Sequence, residues 1–78
     1  MTVQEDAVNA QNLLNDDFSQ RALSRIKEDL KARIVATRAK DRELREELYN
    51  EYQGVLKFEA QLRATIDDGT IYSKRNER

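Results

Sequence analysis

The chain has 78 residues, a net charge of −1, no Cys and no His, which bounds it to one small domain without a disulfide framework, a thiol nucleophile or an imidazole base. Charged residues make up 37% of it, Gly occurs twice and Pro not at all, a composition of long helices that excludes a turn-rich β fold. The near-neutral total argues against general nucleic-acid binding, and no apolar stretch approaches the roughly 20 residues that span a bilayer.

Charge is sorted along the chain. Residues 1–17 carry a net −4, residues 18–42 a net +5, residues 43–68 a net −4 and residues 69–78 a net +2. A basic helix followed by an acidic helix of similar length is expected to fold back on itself.

Thr2 and Glu5 have the spacing of a capping box. Behind them Val3, Ala7, Ala10 and Leu14 give one thin apolar edge, so residues 3–14 form a short helix that needs docking to persist. Asn15, Asp16 and Asp17 mark a break, and Asp17 with Gln20 repeats the capping-box spacing. From there Phe18, Ala22, Leu23, Ile26, Leu30 and Ile34 fall on one face of a second helix. No Gly or Pro closes it, so it ends between Val35 and Ala39 or, alternatively, runs on through residues 37–41 as one rod.

Asp41 can cap a third helix with Glu43, Glu46 and Glu47 in its first turns. Its stripe is Leu44, Leu48, Tyr52, Val55, Glu59, Leu62 and Ile66, widened by Tyr49, Leu56 and Phe58. Asp67-Asp68-Gly69 predicts its end, with Gly69 in the left-handed position after the last turn. The expected fold is all-α: a short N-terminal helix plus a long antiparallel helical hairpin in one domain, residues 1–69. A basic tail, residues 70–78, follows. The facing stripes resemble coiled-coil seams, and they exceed what two helices can cover, so oligomerisation or a protein partner is expected to complete the core. In the tail, Ile71 and Tyr72 would anchor a mobile docking arm whose bases Lys74, Arg75 and Arg78 meet an acidic partner.

The chemistry of the side chains points away from catalysis. Ser19, Ser24 and Ser73 have no base to activate them, and no phosphate or calcium loop occurs. Glu43 with Glu47, and Glu47 with Glu51, could share a hard cation but fit a solvated acidic face better. No catalytic, cofactor or metal residue is therefore assigned, and no small-molecule substrate or membrane contact is expected. The basic run Arg21, Arg25, Lys27, Lys31, Arg33, Arg38, Lys40 and Arg42 could line a nucleic-acid backbone, but no aromatic residue interleaves it; pairing with the acidic third helix accounts for it better.

From Leu13 to Gly69 the chain resembles a group of small helical proteins encoded among the virion-assembly genes of tailed bacteriophages and prophages. The likeness rests on Leu13-Leu14, Phe18, Thr37 before a charged connector, Leu44-Arg45-Glu46-Glu47-Leu48-Tyr49, Tyr52, Phe58-Glu59, Leu62-Arg63 and Gly69. It implies a non-enzymatic virion component or assembly factor, found in the host cytoplasm or the particle and contacting other proteins. The alternatives are a small regulatory binder or inhibitor of a host protein and a nucleic-acid-binding accessory protein using the basic second helix.

Overall fold

A computed structural model of the chain describes residues 2–76 and places three helices in it: α1 (Val3–Asn15), α2 (Asp17–Ala36) and α3 (Arg42–Asn76). At the start of α1, Thr2 is extended and its hydroxyl oxygen accepts from the Glu5 N–H at 3.1 Å, with Glu5 and Asp6 in the first turn where the helix dipole favours acids.

The corner between α1 and α2 turns on one residue. Asp16 has an extended backbone; its N–H donates to the Leu13 carbonyl, and its carboxylate accepts the Ser19 N–H at 2.8 Å. The cap is thus Asp16 and not Asp17, which is already helical and cannot turn its side chain back on the orphan amides. The Gln20 side-chain amide donates to the Leu14 carbonyl and ties the two helices across the corner.

Side chains also close α2, where Gly and Pro are missing. The Thr37 hydroxyl donates to the Ile34 carbonyl at 2.7 Å. The Arg38 N–H donates to Asp41 Oδ2 at 3.0 Å, and the Arg45 guanidinium donates to Thr37 Oγ1 at 3.0 Å and to the Arg38 carbonyl at 3.1 Å. These bonds satisfy backbone groups that a continuous helix would have paired internally, and the single-rod alternative is excluded.

The expected stop at Gly69 does not occur. α3 is 35 residues long, about 52 Å, and no described residue has a positive φ. Residues 70–76 of the expected mobile tail are helical, and Lys74 and Arg75 occupy the last turn, where the dipole favours cations. Residues 77–78, with Arg78, lie outside the described residues. Gly69 is used for proximity instead: a methyl built on it would overlap the Ala7 methyl of α1. Packing against α1 therefore outweighs the local stop signal.

The contacts fix the arrangement. Gln4 of α1 bonds Ser73 at 3.2 Å and Ala7 abuts Gly69. On α2, Lys27 meets Glu59 at 3.0 Å, Lys31 sits 5.8 Å from the centre of the Tyr52 ring, and Thr37 meets Arg45. Numbers rise along α1 and α2 as they fall along α3, so both run antiparallel to α3, one after the other. The molecule is a rod of 60 × 23 × 17 Å. Its radius of gyration, 17.0 Å, compares with about 11.5 Å for a compact domain of this length.

One seam runs the length of the rod. On α3 the line Leu48, Tyr52, Val55, Glu59, Leu62, Ile66, Gly69 and Ser73 is withdrawn from solvent at alternating steps of four and three, with Arg45, Gln53, Leu56 and Thr65 half-buried beside it. Facing them are Ala7, Ala10 and Leu14 of α1 and Leu23, Lys27, Leu30, Ile34 and Thr37 of α2. Among the described residues only Ala10, Leu30 and Leu48 are apolar and buried. Each buried leucine contributes roughly 1.5–3 kcal/mol before entropy is subtracted. The accessible surface is correspondingly large, 6344 Å², against about 4,900 Å² for a compact monomer of 9.1 kDa.

Candidate protein-interaction surface

The seam divides the expected packing residues into two sets. Leu30 and Leu48 are buried, and Leu23, Ile34, Tyr52, Val55, Leu62 and Ile66 are half-buried. Phe18, Ile26, Leu44 and Phe58 stay exposed: 71%, 46%, 49% and 49% of their surface is open to solvent. Ile71, Tyr72, Lys74 and Arg75 lie exposed on the last turns of α3.

The exposed apolar residues follow from helix geometry. Phe18, Ala22 and Ile26 lie four residues apart on α2, on a row that enters the seam at Leu30, and they line one groove together with Arg21, Arg25 and Asp29. Further along the exposed face of α2, Arg33 and Ala36 line a second groove with Leu44 and Leu48 of α3. On α3 the row through Leu44 continues at steps of three and four to Glu47, Glu51, Gly54 and Phe58, all exposed. A methyl at Gly54 would meet nothing within 4 Å, so nothing in the chain compensates the roughly 1 kcal/mol that a mid-helix glycine costs relative to alanine.

Charge is partly answered within the chain. Lys31 pairs with Glu28 at 3.4 Å, Arg33 with Asp29 at 3.5 Å and Arg42 with Glu46 at 3.6 Å, all exposed pairs a turn apart on one helix. Such pairs contribute tenths of a kcal/mol. The Glu28 carboxylate, followed by Tyr52, holds the Lys31 ammonium above its usual pKa. The exception is Lys27 with Glu59. Glu59 lies in the seam, its side chain 8% exposed, and Lys27 reaches it from α2. The approach to Oε1 is off the axis of a well-formed hydrogen bond, so that oxygen is answered by charge rather than by a directed donor.

The sequence pattern leaves Lys27 and Gly69 outside the packing faces, whereas Ala7 and Ala10 belong to the thin apolar edge it gives α1. Small side chains raise little hydropathy signal, and a seam lysine looks like any base on a charged helix. The step of four and three carried on to Gly69 and Ser73 was the available signal for the α1 contact.

The described surface offers helix packing and charge. Among the described residues no group of three or more His, Cys, Asp or Glu is placed to hold a metal ion, and no described helix is long and apolar enough to cross a membrane. No family model matches the chain, and no curated protein and no solved structure matches it.

Proposed function

We propose that the protein is a non-enzymatic structural or protein-interaction module, packed in coiled-coil fashion, that serves as a component of a tailed-phage particle or of its assembly in the host cell. The observation that carries the first part is the exposed apolar row of Phe18, Ile26, Leu44 and Phe58 on a rod whose surface exceeds that of a compact monomer. A chain that buries so few apolar residues gains from a partner what its own core lacks. The phage assignment rests on the resemblance carried by residues 13–69.

Cross-linking with mass spectrometry in native lysate, with sedimentation of particles, tests it. Retention in particles, with cross-links from α2 and α3 to particle proteins, is the expected result. A stoichiometric soluble complex with a host protein would replace the phage assignment by a regulatory one. Steeply salt-dependent DNA or RNA binding would overturn the protein-interaction reading.

A further inference from the structure

We propose that the face bearing Phe18, Ile26, Leu44 and Phe58 receives a second copy of the chain, as a two-fold dimer in which α2 of each copy lies over α3 of the other. This rests on the interaction-module reading and names its partner. The α2 and α3 rows open on the same side of the rod, because Arg33 and Ala36 share a groove with Leu44. Together they form one face of two helices, the half of a four-helix bundle that a second such half completes.

Charge selects the pairing. The α2 row is flanked by Arg21, Arg25 and Arg33, and the α3 row carries Glu47 and Glu51. Laying α2 over α3 of the other copy sets Arg33 against Glu51, with Arg21 and Arg25 lying toward the Phe58 end beyond both acids; laying α2 over α2 brings the arginines of the two copies onto one face. A two-fold axis along the rod also keeps every residue at its own height. Within one chain Lys27 is level with Glu59, and Thr37 with Arg45. At the same register between copies, Arg33 comes level with Glu51 and Ile26 falls within a turn of Phe58. The exposed Asp29 contact at 3.5 Å does not hold Arg33 away, since such pairs exchange readily with a better one.

Gly54 supplies an independent observation. It sits in the middle of the α3 row with open space around it. A helix of a second copy crossing there, with its Asp29 and Arg33 on either side, gives the missing side chain a purpose, because backbones approach closest over glycine. The rod leaves more surface open than a compact monomer of this mass would, and a standard interface takes about 800 Å² from each partner.

The test is sedimentation of the full chain at micromolar concentration, wild type beside Arg33→Glu and Glu51→Arg, each alone and mixed in equal amounts. Wild type should be a dimer. Each variant alone sets like charges together twice and should dissociate roughly ten-fold or more readily. Their mixture sets opposite charges together at both contacts and should regain the dimer. Gly54→Leu, which favours the helix, should weaken the dimer with helicity by circular dichroism retained. A monomeric wild type, variants that associate like wild type, or a mixture that stays apart would each overturn the proposal. A monomeric wild type that still cross-links to another protein through this face would overturn self-association and leave the interaction module standing.

Discussion

Glu59 carries a carboxylate into the seam with one cation to answer it, and that pair decides more than its surface counterparts. Removing Lys27 leaves a nearly buried charge, so Lys27→Met is expected to destabilise by roughly 1–3 kcal/mol. Replacing both partners, Lys27→Met with Glu59→Met, should restore or exceed wild-type stability, because apolar groups of similar volume carry no desolvation cost. Urea denaturation of the two variants checks this; a double variant as weak as the single one would refute it. Gly69 opposes two effects. Alanine there gains roughly 1 kcal/mol in helix propensity but drives a methyl into Ala7. Overpacking costs about 1–3 kcal/mol, so Gly69→Ala should lower the melting temperature. At Gly54, open within the chain, the propensity gain stands alone for the monomer. At this scale the sequence was legible for Leu30 and Leu48, whose size marks the helical period. Ala10 and Glu59 also fall on the stripes the pattern gives and are buried there, whereas Gly69, which reads as a helix stop, was not legible, because its burial depends on what lies opposite.

The elements are bounded by side-chain hydrogen bonds, and these respond to pH and substitution in separable ways. The Ser19 N–H, then the Ser19 hydroxyl and Arg21, hold the Asp16 carboxyl below the usual carboxylate range. Because the folded value is the lower one, the cap's ionic contribution is full above the unfolded carboxylate's pKa, about 3.9, and is lost as pH falls through the folded value. Asp16→Asn keeps an acceptor and removes the charge, so its melting temperature should trail wild type at neutral pH and converge on it in acid. An unchanged gap at low pH would show that the charge plays no part. Leu30 is 5% exposed, and Leu30→Ala is expected to cost roughly 2–5 kcal/mol in chemical denaturation. The break after Asn15 was visible as a run of cap formers. The turn at residues 37–41 was harder to place, because Thr37, Asp41 and Arg45 do jointly what a glycine or proline would have announced alone.

At the scale of the molecule, an all-helical chain was plain from composition, whereas the reach of α3 past Gly69 was not, since Asp67-Asp68-Gly69 is a local stop signal that only contact with α1 overrides. If the second copy completes the bundle, the melting temperature should rise by about 3–6 °C per ten-fold increase in concentration. A flat response would count against association. The Gln4 to Ser73 bond, between residues 69 apart in sequence, sets the first turn of α1 beside the last turns of α3 at one pole, opposite the turn at residues 37–41. A load applied between those two ends would act across the seam at that pole and part its contacts in series, beginning with α1. Such a rod should unzip at low tension in single-molecule pulling, while force applied between the pole and the turn would have to shear the whole seam at once.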